Sequence, residues 1–131
     1  MVVKMFKETV ICIVIVVLIF SLDMFTQRYT DKTTAEITEI FSELKELAVK
    51  EEKDKMETKM AGLDEKWNKK HDKLAYYIEH DELEKVDTAI VSAKSYIQTE
   101  DYSSAASELD VGKFVLEHIQ KKYKFNLVNV F

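Results

Sequence analysis

Hydrophobic and polar positions divide this chain into two parts. Thr9–Leu22 is free of charge and its centre, Val10–Phe20, is wholly apolar, with Lys4 and Lys7 before it and Asp23 and Arg28 after it. Spanning a bilayer takes roughly 20 apolar helical residues. Met5, Phe6, Met24 and Phe25 extend the run to that length, with Lys4 and Lys7 snorkelling to the headgroups. No small-x-small cleavage site follows, which favours an uncleaved signal anchor over a secretory peptide. Cys12 lies inside the apolar run with no lipobox before it, which argues against a lipoprotein. The reading is a membrane anchor over residues 1–25 and a helical extramembrane domain over residues 26–131.

Beyond the anchor the apolar positions recur at helical spacing. Ile37, Ile40, Leu44 and Leu47 form one stripe, which continues the first helix out of the membrane. Lys50–Lys55 has no apolar residue and predicts a turn. Met56, Met60, Leu63, Trp67, Lys70, Leu74 and Tyr77 mark a second helix whose apolar seam is broken only by Lys70. A third helix begins at Asp81, which with Glu84 makes an Asp-type capping box. It carries Leu83, Val86, Ile90, Ala93 and Ile97. Thr99–Asp101 is the next turn, and a fourth helix from about Tyr102 has Ala105, Leu109, Gly112, Leu116 and Ile119 on its inner face. Gly62 and Gly112 are places where a neighbouring helix can approach closely. An internal repeat at an offset of 49 residues aligns Met56, Met60 and Trp67 with Ala105, Leu109 and Leu116. The expected fold is all-α: an N-terminal transmembrane helix, then an antiparallel bundle of about four helices made of two tetratricopeptide-like hairpins. The tail from Phe125 to Phe131 reads as a short extended segment packed back on the bundle.

Composition narrows the function. The 131 residues include no Pro and only two Gly, which argues against β-sandwiches, barrels and Gly-rich phosphate loops. The single Cys excludes an internal disulfide and a Cys-based zinc site. Residues 31–131 hold 22 acidic and 16 basic side chains, so a nucleic-acid partner is not expected. Lys4 and Lys7 on one side of the anchor face Arg28 and Lys32 on the other. With the terminal amine added to the short side, the positive-inside rule favours a single-pass protein whose domain is extracytoplasmic.

Candidate chemistry is sparse. If the third and fourth helices pair about Thr99, His80 and His118 fall at the same, membrane-proximal end, among Glu79, Asp81, Glu82 and Glu117. Histidines beside carboxylates can sense pH or bind a divalent ion, and the plain alternative is that both complement helix ends. His71, among Lys69, Lys70, Asp72 and Lys73, reads as exposed. Lys121, Lys122 and Lys124 are candidates to face anionic lipid, or they simply complement the helix dipole. No nucleophile elbow and no acid in an apolar setting is present, so neither an enzyme nor a cofactor is expected. The Met-rich stripe reads as core. Trp67, Tyr76, Tyr77 and Tyr102 are the candidates for a partner surface.

Some of these patterns also resemble a family. They are the N-terminal anchor, Leu63-x3-Trp67, Ile78–Leu83, the Asp101 turn with Ala105, Phe114–Ile119 and the Asn129–Phe131 ending. Together they resemble family 4363 of the domains of unknown function across nearly the whole chain. The resemblance implies a small anchored helical protein of Gram-positive, mostly clostridial bacteria, with no assigned activity. It also implies genes often adjacent to that of a multi-spanning membrane protein. The expected function is therefore a non-enzymatic binding module, an accessory subunit of another membrane protein. The alternatives are a self-associating envelope protein, with the second helix as a homodimer seam, or a histidine-based pH or metal sensor.

Overall fold

The computed structural model describes residues 2–124, and within them every element is helical: α1 (Val2–Val49), α2 (Lys53–Leu74), α3 (His80–Gln98) and α4 (Tyr102–Lys124). The expected extended segment at 125–131 lies outside the described residues. At 1.5 Å per residue α1 is about 72 Å long. It runs without a break from the apolar segment into the bundle.

The four stripes become one core. Ile37, Phe41 and Leu44 from α1 meet Met56, Met60, Leu63 and Trp67 from α2, Leu83, Val86, Ile90 and Ile97 from α3, and Leu109, Leu116 and Ile119 from α4, all buried. Neighbours are antiparallel, and the ring closes because α1 packs extensively along α4. That contact makes the molecule a closed bundle, where stacked tetratricopeptide-like hairpins would leave the outer helices apart. The seam between α2 and α3 is the sparsest of the four.

The two upper turns share one construction. Glu51 and Glu100 both adopt left-handed backbone, with φ of 57° and 60°. Glu52 N–H donates to Leu47 C=O and Glu51 N–H to Ala48 C=O; Asp101 N–H donates to Tyr96 C=O and Glu100 N–H to Ile97 C=O. Each is a Schellman closure, which normally takes Gly at the left-handed position. The turns are themselves 49 residues apart, so the faint sequence repeat corresponds to two equivalent helix–turn–helix units. Lys53 bridges them to Glu100 at 3.1 Å. The glutamate hydrogen bond raises the lysine pKa above its ordinary value.

Several local expectations are corrected. α2 ends at Leu74, with Ala75 as its C-cap, so Tyr77 lies in the following turn. α3 starts at His80 with Glu79 as N-cap and no side-chain cap. Asp81 is thus inside the first turn and forms no capping box; the Glu79 N–H is instead satisfied by the Tyr123 hydroxyl at 2.8 Å. The real side-chain cap is Asp101, which accepts from Ser104 N–H at the start of α4. Gly62 is exposed with open space around it, so no helix approaches there. Gly112 is the close-approach glycine: a Cβ would lie 3.0 Å from Phe41 Cζ and 3.3 Å from Ala89 Cβ.

Candidate functional site at the base of the bundle

The end where α1 leaves the apolar segment gathers most of the chain's unusual polar contacts. The Tyr77 and Thr30 hydroxyls share a hydrogen bond of 2.7 Å. Burial pushes the Tyr77 pKa up, with the Thr30 hydrogen bond opposing. Tyr77 packs edge-on to Tyr123, their centroids 6.4 Å apart. These two rings, with Asp23, Thr26, Gln27 and Thr30, line a small polar cavity of about 170 Å³. Gln120 reaches Asp31 across the α1–α4 seam. The emerging α1 is thus fixed at the base of the bundle by side chains from the α2–α3 turn and from α4.

Opposite the cavity is an acidic corner at the start of α3. Glu82 is buried, with Oε1 3.9 Å from His118 Nε2 and 3.8 Å from Lys122 Nζ. Its Oε2 has no hydrogen-bond partner among the described residues. Lys122 also pairs with Glu79 at 3.3 Å, and that hydrogen bond raises its pKa. The Glu82–His118 and Glu79–Lys122 contacts establish the register expected of a hairpin about Thr99. His80 and His118 do share this end, but His80 is 81% exposed and turned toward Glu84. Among the described residues no group of three or more His, Cys, Asp or Glu is placed to hold a metal.

The third histidine departs from expectation. His71 is only 25% exposed and its Nε2 lies 3.3 Å from Asp87. Its ring meets Trp67 edge-on, centroids 5.9 Å apart. Trp67 is 2% exposed and its indole N–H donates to the same Asp87. The missed signal was the spacing of four between Trp67 and His71, which puts both on one helical face.

Of the candidate partner residues, Trp67 is therefore core, Tyr77 is half-buried, and Tyr102 packs against the core edge. Burial raises the Tyr102 pKa above its ordinary value. Tyr76, 90% exposed at the α2–α3 corner, is the one fully presented to a neighbour. Lys121 and Lys124 are exposed at the end of α4. Lys70, the break in the α2 seam, lies 5.2 Å from the Tyr29 ring centroid, and Lys73 lies 5.7 Å from it.

The family model described as "Domain of unknown function (DUF4363)" matches residues 24–130. The chain belongs to the DUF4363 family. No curated protein and no solved structure matches it. The DUF4363 match begins at Met24, the first of the exposed apolar pair Met24 and Phe25, and so takes in the four-helix bundle while omitting the apolar run before it. The homodimer seam imagined along α2 is spent inside this bundle: Met56, Met60, Leu63, Trp67 and Leu74 are all buried.

Proposed function

We propose that this DUF4363 protein is a single-pass membrane-anchored, non-enzymatic binding module that serves as accessory subunit to another membrane protein. One observation carries the reading. No residue of the N-terminal apolar stretch of α1 is buried, whereas the apolar stripes of the four helices beyond it form a buried core. Seventeen large apolar side chains are exposed between Val2 and Phe25, which in water would be strongly unfavourable, at roughly 1.5–3 kcal/mol for each large one. A bilayer removes that penalty. The charge pattern around the stretch favours an extracytoplasmic bundle.

Binding rather than catalysis is supported by the shape of the extramembrane surface. Two of its grooves are lined by ion pairs between helices, Lys59–Glu43 in one and Lys94–Asp64, at 3.0 Å, in another. A membrane partner would meet the bundle at its base, where Tyr76 stands clear of the surface. The test is crosslinking in intact membranes, then mild-detergent purification and mass spectrometry of the attached proteins. The expected result is one dominant multi-spanning partner, lost or weakened in Tyr76→Ser. A complex untouched by Tyr76→Ser would refute the surface, and self-crosslinks alone would favour the envelope-protein reading.

A further inference from the structure

We infer that Lys70 and Lys73, held over the ring of Tyr29, form a headgroup site for an anionic phospholipid at the foot of the α1–α2 seam. This rests on the membrane reading of α1. With Met5–Phe25 in the hydrocarbon, the buried length is about 31 Å, matching a core of about 30 Å. Tyr29 then sits one helical turn higher, about 6 Å above that boundary. That depth falls within the headgroup layer, which adds about 5–8 Å on each side of the core. α1 is continuous there, so no linker can lift the site away from the lipid.

The chemistry of the site fits a phosphate. Two ammonium groups lie 5.2 and 5.7 Å from one ring centroid, close enough for both to be held by the π face. Converging like charges repel, and here no carboxylate relieves them: neither lysine has an ion pair among the described residues. Elsewhere the lysines that cross helix seams do have acid partners, as Lys45, Lys53 and Lys94 show. Tyr29 is partly buried against the core, so packing holds the ring as a platform. A lipid phosphodiester, with one negative charge and free oxygens for two point-charge donors, neutralises this pair. Tyr29 is a positioning residue; the two lysines make the contact.

The experiment uses the full chain in mild detergent, titrated with phosphatidylglycerol or phosphatidylcholine and read by native mass spectrometry. Phosphatidylglycerol adducts are expected at the lower concentration. Lys70→Gln with Lys73→Gln should weaken them by about 30-fold, from two lysine contacts of the usual strength near an anionic surface. Tyr29→Leu should weaken them less, and Lys50→Gln with Lys113→Gln should leave them unchanged. Circular dichroism of each variant checks that the bundle is intact. Equal binding of the two lipids, or adducts indifferent to the Lys70/Lys73 change, overturns the site. Competition by millimolar inorganic phosphate with no lipid preference overturns the lipid assignment in favour of a free anion. Carbonate extraction separates the two levels: a chain released from membranes refutes the anchor, whereas a retained chain without lipid preference refutes only this site.

Discussion

Replacing each glycine by alanine gives a controlled measurement of packing in this bundle. Both glycines lie in helix interiors, so both substitutions gain the same helix-propensity term, about 0.8–1 kcal/mol. They differ in space. At Gly62 the new methyl meets nothing within 4 Å, whereas at Gly112 it lands 3.0 and 3.2 Å from two ring carbons of Phe41 and 3.3 Å from Ala89. Phe41 is 1% exposed and can yield only by displacing the core. Overpacking of this kind costs about 1–3 kcal/mol. Gly62→Ala should therefore stabilise the protein by close to 1 kcal/mol, as propensity alone would give. Gly112→Ala should destabilise it by about 1 kcal/mol after the propensity gain is subtracted. Urea titration of the full chain in mild detergent, followed by helicity, reads both. Combining Gly112→Ala with Phe41→Leu should recover part of the loss, with a coupling of at least about 0.5 kcal/mol. Equal stability of the two alanine variants, or additivity of the double change, would refute the claim that α1, α3 and α4 meet through Gly112.

Three further changes probe other parts of the structure. Glu51→Gly relieves a left-handed residue that forms no ion pair among the described residues, and should raise stability by about 1 kcal/mol in the same titration; a loss would mean that the turn is not a Schellman closure. Asp87→Ala leaves the buried indole N–H of Trp67 unpaired and should cost about 1–3 kcal/mol with a shift in tryptophan emission, whereas Asp87→Asn, which keeps an acceptor, should cost less. Stability should fall as pH rises past about 10. Tyr77 has a pKa above 10.0 in the fold, so the unfolded chain loses that proton first, and the raised pKa of Lys122, from 10.5, acts in the same direction because its Glu79 pairing is lost on deprotonation. Tyr77→Phe should flatten the alkaline slope, and an unchanged slope would remove Tyr77 from the account.

The helical faces were legible because period alone defines them. Every apolar position assigned to α3 and α4 is buried, and height-matching in a hairpin about Thr99 puts His80 and His118 at one end, where the structure also brings Glu82 within 3.9 Å of His118. What was not legible is whatever a partner helix supplies. The start of α3 looked like an Asp81–Glu84 capping box, yet its N-cap N–H is taken by a tertiary hydroxyl from Tyr123, 44 residues away. His71 looked exposed from its charged sequence neighbours, but Asp87 on α3 draws it in. Gly62 and Gly112 were equivalent in sequence, and only the closeness of α4 to α1 and the looseness of α2 separate them.

The same asymmetry bears on the proposed headgroup site. α4 is gripped by both α1 and α3, while α2 touches its neighbours more sparingly and keeps a lysine in its seam. A lysine there would be a defect in a tightly interlocked helix. Here its ammonium reaches the Tyr29 ring beside Lys73, as a long charged side chain at a seam edge can. Replacing Lys70 by Leu completes the apolar stripe of α2 and should leave the bundle as stable or more so. It should also weaken the anionic-lipid preference by about fivefold, as the loss of one lysine contact implies. Loss of stability with the lipid preference unchanged would mean that Lys70 serves packing alone, and the basic foot of α2 would then need another explanation.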